Sequence, residues 1–245
     1  MRYFIHCTYK GTHFAGWQRQ NNAPSVQQSI EEAIELVQKK PVPIMGCGRT
    51  DAGVHASEFY FHLDIELEDL TSFQKKLNNI LSKDVSINQI IPVHEDAHAR
   101  FDATLRSYTY YISLEKDPFK KDFHWFYPYG KLNIDRLNTA AALLLEYSEF
   151  FPFCKTHTDV KTMICDLSES KWIQLDDKTL TYHISSNRFL RGMVRLIVGM
   201  CVHVANEKIS VQEVRTALEQ QTRLEKSYSV PASGLFLSRV EYPFL

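Results

Sequence analysis

One carboxylate stands apart in this chain. In Gly46-Cys47-Gly48-Arg49-Thr50-Asp51-Ala52-Gly53-Val54-His55-Ala56, Asp51 lies between glycines, with Arg49 two residues before it and His55 four after. Glycines let a backbone bend tightly and approach a ligand closely. A carboxylate held in this way is suited to act as a nucleophile or a base toward a bound molecule. The plainer alternative is an Asp that hydrogen-bonds its own turn. A second group is Arg188, Arg191 and Arg195, spaced i, i+3 and i+7 around an apolar run from Phe189 to Ala205. That spacing predicts one face of a helix. Leu190, Met193, Val194, Ile197 and Val198 predict that the helix is largely buried, so an interior Arg195 requires a carboxylate partner. A solvated basic face is the alternative.

Periodicity locates the elements that must carry these groups. Arg2 to Tyr9 predicts a strand. Ser25 to Lys39 predicts a helix with a Ser25/Gln28 capping box and an apolar stripe of Val26, Ile30, Ala33, Ile34 and Val37. Strands follow at Val42–Cys47 and Glu58–Ile65, where Phe59, Phe61, Leu63 and Ile65 alternate. A helix opening at Thr71 with Gln74 completing its cap, then a strand from Val85 to Val93, close this half. The order then repeats: a strand Ser107–Leu114, a helix Ile134–Tyr147 with Leu137, Ala141, Leu144 and Leu145 inward, and strands Ile164–Leu175 and Thr179–Ser185. Helices Phe189–Val204 and Ser210–Gln220, the latter capped with Glu213, precede a closing strand Gly234–Tyr242. The expected fold is α+β: two ferredoxin-like (βαββαβ) halves, residues 1–100 and 101–245, with one extra helix in the second and a central cleft between them.

Composition narrows the class. The 245 residues suffice for one large domain or two small ones. Five cysteines, Cys7, Cys47, Cys154, Cys165 and Cys201, are widely spaced, a reduced cytoplasmic pattern that provides neither a disulfide framework nor a metal knuckle. The longest apolar run is interrupted by Arg191 and Arg195, so no membrane span is expected. The strand-like start predicts no secretory signal. With 28 Lys and Arg against 29 Asp and Glu, any nucleic-acid surface must gather its basic residues locally.

Met45 through Ala56 closely resembles the active-site loop of the tRNA pseudouridine synthase A family, whose Arg-Thr-Asp-Ala-Gly-Val-His carries the catalytic Asp. Phe189-Leu190-Arg191-Gly192-Met193-Val194-Arg195-Leu196-Ile197-Val198-Gly199 is similar to the family motif whose Arg pairs with that Asp. Tyr9-Lys10-Gly11-Thr12, Gly16-Trp17-Gln18-Arg19-Gln20, His98-Ala99-Arg100-Phe101 and Pro231-Ala232-Ser233-Gly234-Leu235 match further family strings. Glu149-Phe150-Phe151-Pro152-Phe153-Cys154 departs from the usual Asp-Phe-x-x-Phe, and Glu146 stands where many members carry Gly.

The resemblance implies isomerisation of uridine to pseudouridine in tRNA, at uridines 38–40 of the anticodon stem-loop, in the pseudouridine synthase fold. It implies Asp51 as the catalytic carboxylate, supported by Arg195, Tyr108 (stacked on the target uracil) and Arg49. Arg19, Arg100, Arg106 and Arg188 would contact RNA, and Gly234 and Leu235 would line the site. Tyr110 shares the strand face of Tyr108 and competes with it for the stacking role; Trp17 is expected to pack rather than stack. Nothing is oxidised overall, so neither cofactor nor metal is expected. A cytoplasmic homodimer acting on a tRNA substrate is implied, with no membrane partner. Two alternatives stay open: a synthase of the same fold acting on another RNA, and a non-catalytic RNA-binding protein.

Overall fold

The structure is a computed structural model that describes residues 1–155 and 162–245. Nine strands and five α-helices among these residues make an α+β protein. The chain forms two compact units, Met1–Thr104 joined by Phe236–Leu245, and Leu105–Leu235.

In the first unit, β1 (Arg2–Tyr9) leads through α1 (Val26–Gln38) to β2 (Met45–Gly46) and β3 (His55–Asp64), then α2 (Leu70–Ile80) and β4 (Val85–Val93). β1 lies antiparallel between β4 and β3, with Ile5 opposite both Ile90 and Phe61. Strand propensity from Val42 to Cys47 is realised only at Met45 and Gly46, which pair with His62 and Phe61. α1 begins where Ser25 Oγ accepts the Gln28 N–H at 3.2 Å. The Gln28 side chain, expected to complete a capping box, donates instead to Glu32 Oε1 at 2.8 Å. α2 starts earlier than Thr71 because Asp69 is the stronger cap: its Oδ1 accepts the Ser72 N–H at 3.0 Å, and its charge suits a helix N-terminus. Gln74 is used elsewhere, donating to the Ile87 and Asn88 carbonyls of β4. Val26, Ile30, Ala33 and Ile34 of α1 and Phe73 and Leu77 of α2 are buried.

In the second unit, β5 (Leu105–Ser113) and the two-residue β6 (Trp125–Phe126) precede α3 (Ile134–Leu143). β7 (Leu167–Asp176), β8 (Thr179–Ser186), α4 (Met193–Ala205) and α5 (Val211–Gln220) follow. β8 is central, antiparallel to β5 and to β7, with Tyr182 opposite both Tyr110 and Trp172. β6, for which the sequence offers no expectation, runs parallel to β5. α3 is shorter than expected because the chain tightens into a 3-10 turn at Leu144–Glu146, which leaves Leu145 46% exposed rather than inward. The departure at Glu146 is accounted for by its ion pair with Arg215 on α5, at 2.8 Å. α4 begins at Met193, later than Phe189, because Gly192 occupies the left-handed region at φ +71°. Arg188 and Arg191 therefore precede the helix, and the three arginines do not share a helix face. α5 has both halves of its Ser210/Glu213 capping box.

The final strand, β9 (Leu235–Glu241), corrects the boundary expected from the order of elements. Residues 236–245 join the first unit, where Phe236 and Leu237 pair in parallel with His55 and Ala56 of β3. Packing explains it: Tyr242 and Phe244 place their rings 5.0 and 5.6 Å from Phe4, and the Tyr242 hydroxyl donates to the Ala99 carbonyl at 2.6 Å. No described helix is long and apolar enough to cross a membrane.

Candidate active site

Asp51 sits in the irregular segment between β2 and β3, half-buried, with Thr50 and Val54 buried on either side. The turn after it is closed by backbone: the Val54 N–H donates to the Asp51 carbonyl at 3.2 Å, and Gly53 takes φ +77°. Arg49 is exposed.

The segment Tyr9–Trp17, which includes a 3-10 turn at Gly11–His13, lies directly against this loop. The Trp17 N–H donates to the Thr50 carbonyl at 3.3 Å, and the Gly53 N–H to the Phe14 carbonyl at 3.2 Å. Tyr9 Oη and Thr50 Oγ1 share a buried hydrogen bond of 2.9 Å. The Gly11 N–H donates to Nδ1 of the buried His55 at 3.0 Å, and the His55 ring stacks on Phe236 at 4.6 Å. The approach is too close for side chains. A Cβ on Gly11 would stand 2.0 Å from the Val54 carbonyl oxygen, and one on Gly16 (φ +95°) 2.3 Å from that of Thr50. Trp17 packs as expected: it is buried, stacks on Phe59 at 4.0 Å, and lies where a Cβ on Gly46 would be. Burying a ring of this size stabilises the fold by about 2–3 kcal/mol. The Tyr9-to-Gln20 string thus belongs with the Asp51 loop for a packing reason. Arg19, at its end, pairs with Glu31 of α1 at 3.0 Å and stays half-exposed.

The His98-Ala99-Arg100-Phe101 string forms a turn tied to the same unit. The Arg2 guanidinium donates to the Ala97 carbonyl, the Ala99 N–H donates to His62 Nδ1 at 3.1 Å, and the Arg100 and Phe101 N–H groups donate to His98 Nδ1. Its tip presents Arg100 to solvent, with the guanidinium 5.6 Å above the ring of Phe101, itself 74% exposed. Burial, with Arg2 and His98 nearby, pushes the His62 imidazole down to about 4, so it is neutral at pH 7 and keeps the lone pair that Ala99 needs.

In the second unit, Tyr108 and Tyr110 lie on one face of β5 with different surroundings. Tyr110 is fully buried, its hydroxyl donating to the Pro231 carbonyl at 2.8 Å, and burial pushes its phenol well above the usual range. Tyr108 is half-buried, with Phe189 edge-on at 5.1 Å. Tyr110 is thus a core ring, and Tyr108 is the more exposed of the two. Arg195, half-buried on α4, donates from Nε to the Val230 carbonyl at 2.7 Å, and the Val230 N–H returns to the Arg195 carbonyl at 3.3 Å. One turn on, a Cβ on Gly199 would be 1.8 Å from the Tyr228 carbonyl oxygen, so the 228–230 segment lies flat on α4. Gly234 has the same constraint against Tyr110 and the Tyr111 carbonyl, and Leu235 is buried. Arg106 reaches the Asn187 carbonyl at 2.8 Å and Arg188 the Thr162 carbonyl at 3.5 Å.

The first unit therefore gathers Asp51, Arg49, Tyr9, Thr50 and His55; the second gathers Tyr108 with Phe189 and Arg195 with Val230. Sequence reasoning missed the parts of Tyr9, Thr50 and His62. The glycines at 11 and 16 were the available signal for the first two; no pattern marks His62. Among the described residues no group of three or more His, Cys, Asp or Glu is placed to hold a metal ion. All five cysteines are buried and none is in a disulfide.

An α+β protein with one carboxylate in a glycine-clasped turn between strands is the class that fold and site define. A family model described as tRNA pseudouridine synthase matches residues 6–102 and 141–243. The chain is 45% identical to tRNA pseudouridine synthase A of Porphyromonas gingivalis, covering 99% of this chain and 97% of that one. It is 44% identical to the protein of the same name from Bacteroides fragilis (99% and 96% covered) and 32% identical to that of Staphylococcus aureus (98% and 91% covered). The chain belongs to the tRNA pseudouridine synthase A family, whose members are isomerases.

Proposed function

We propose that this protein isomerises uridine to pseudouridine in tRNA, at uridines 38–40 of the anticodon stem-loop, with Asp51 as the catalytic carboxylate. The observation that carries the reading is likeness over the whole chain to tRNA pseudouridine synthases A, together with a glycine-clasped turn around the one Asp of the family loop. In the reaction the ribose C1′–N1 bond of uridine breaks, a C1′–C5 bond forms, C5 gives up its proton and N1 gains one. Atoms balance without an oxidant. A carboxylate serves such a sugar–base bond as nucleophile at the ribose or as base, and both roles require it ionised.

The remaining assignments belong to the same proposal. Tyr108 stacks on the target uracil, which its half-buried ring supports. Arg195 supports the catalytic carboxylate, an assignment that rests on the family motif, with Arg49 assisting. Arg19, Arg100, Arg106 and Arg188 contact RNA, and Gly234 and Leu235 line the site. Each unit is a ferredoxin-like βαββαβ element; the order β4-β1-β3 with β2 beside β3 supports this for the first. The protein works as a cytoplasmic homodimer.

The decisive variant is Asp51→Ala. It should abolish pseudouridine formation while tRNA affinity changes by less than about tenfold, since many basic contacts and not one carboxylate supply binding. Appreciable turnover in that variant would overturn the reading. Arg195→Met should lower kcat by about a hundredfold or more, with affinity largely kept. Arg195→Lys should restore only part, because an ammonium lacks the planar two-point grip on a carboxylate. A wild-type rate in Arg195→Met would overturn the role assigned to Arg195.

A further inference from the structure

We propose that the Tyr9–Trp17 arm is a positioning device for Asp51, and that Tyr9, Thr50 and His55 are positioning residues for the reaction; this rests on the reading of Asp51 as the catalytic carboxylate. Asp51 lies in a stretch, Gly48 to Val54, outside any strand, where strand pairing does not fix the backbone. A catalytic group must nevertheless be held to within about 0.5 Å, or rate is lost. The arm supplies the missing restraint on both sides.

Immediately before Asp51, Thr50 is held twice: by its carbonyl to the Trp17 N–H at 3.3 Å, and by its hydroxyl to that of Tyr9 at 2.9 Å. After it, Gly53 is held to the Phe14 carbonyl at 3.2 Å, and His55 Nδ1 accepts the Gly11 N–H at 3.0 Å with its ring stacked on Phe236. Restraints at −1, +2 and +4 leave the Asp51 backbone little freedom to translate or swing. Gly11 and Gly16 are what allow the arm to come so close.

The chemistry of His55 follows from its bond. An Nδ1 that accepts an N–H cannot carry a proton, so the ring is a neutral acceptor with its hydrogen on Nε2. At 1% exposure it serves the backbone of the arm and not a substrate. An asparagine, whose Oδ1 falls near the place of Nδ1, can take over that acceptor role; a general acid or base could not be replaced in this way.

The experiment compares Tyr9→Phe, Thr50→Val, His55→Leu and His55→Asn, with Asp51→Ala alongside, on a tRNA transcript. Single-turnover rate at saturating enzyme, tRNA affinity and thermal midpoint are read for each. Thr50→Val and His55→Leu should lose about tenfold or more in rate with affinity within about threefold of wild type. Tyr9→Phe should lose less, and His55→Asn should recover most of the His55→Leu loss. Should His55→Leu not fold, Thr50→Val and Tyr9→Phe carry the same test. Unchanged rates in the Thr50 and His55 variants beside an inactive Asp51→Ala would overturn the proposal and leave the site reading intact. So would a parallel fall of rate, affinity and thermal midpoint, which marks a merely structural role. A folded His55→Asn as slow as His55→Leu would show acid–base chemistry at His55 instead. Turnover by Asp51→Ala would remove the site reading, and the positioning role with it.

Discussion

Buried imidazoles are the residues most sensitive to conditions in the first unit. His62 is 8% exposed, accepts the Ala99 N–H, and has its pKa lowered from 6.5 to about 4 by burial, Arg2 and His98. Its folded value lies below its unfolded one, so between these values the unfolded chain binds more protons. Stability is therefore fully present above about pH 6.5 and falls as pH drops toward 4, by about 2 kcal/mol at pH 5 from this group. His62→Asn keeps an acceptor near Nδ1 but cannot be protonated. Urea unfolding at pH 5 and pH 7.5 should show a smaller difference for His62→Asn than for wild type; equal differences would show that His62 does not contribute. Burial likewise lowers His6, His98, His124, His183 and His203, so a residual slope of the same sign is expected.

Element boundaries here are set by caps and close approaches. Ser210 and Glu213 satisfy each other's backbone at the start of α5, with Glu213 N to Ser210 Oγ at 3.1 Å and Ser210 N to Glu213 Oε2 at 2.7 Å. Ser210→Ala should cost about 1 kcal/mol in chemical unfolding without changing tRNA affinity. Gly199 matters for a different reason, since the Tyr228 carbonyl occupies the place of its Cβ. Gly199→Ala should push the 228–230 segment off α4, break the Arg195–Val230 pair and cost about 2–3 kcal/mol. A thermal midpoint equal to wild type would show that the segment yields without cost. At the start of α4, the left-handed Gly192 releases Arg188 and Arg191 from the helix: the Arg191 carbonyl accepts the Lys155 N–H at 3.1 Å, and the Arg188 side chain donates to the Thr162 carbonyl at 3.5 Å.

For the molecule as a whole, near-neutral charge and a polyanionic substrate predict a local basic surface with steep salt dependence. Affinity for tRNA should fall by orders of magnitude between 50 and 200 mM salt if about six phosphates are contacted. A flat response would count against the assigned arginines. The reaction involves no net redox change, so enzyme dialysed against a chelator should keep its rate on tRNA refolded identically. A rate restored only by added metal would overturn that expectation. Sedimentation at micromolar concentration should find a dimer; a monomer with full activity would remove the assembly from the mechanism.

Local chemistry in the sequence determined the strands β1 and β4, the helix α5 with its full cap and the glycine-flanked setting of Asp51. Each depends on neighbours within a few residues, which a linear pattern records. Tertiary structure decided what depends on distant neighbours. It shortened the strand from Val42 to two residues, separated Arg188 and Arg191 from α4, and moved the last ten residues to the first unit through Phe4 and Ala99. It also separated Tyr110 from Tyr108, since alternation gives both the same face and only packing buries one of them. The meaning of Gly11 and Gly16 lay hidden for the same reason: their role is to admit the carbonyls of Val54 and Thr50, about forty residues away, and no local pattern encodes which backbone will fill the space a missing side chain leaves.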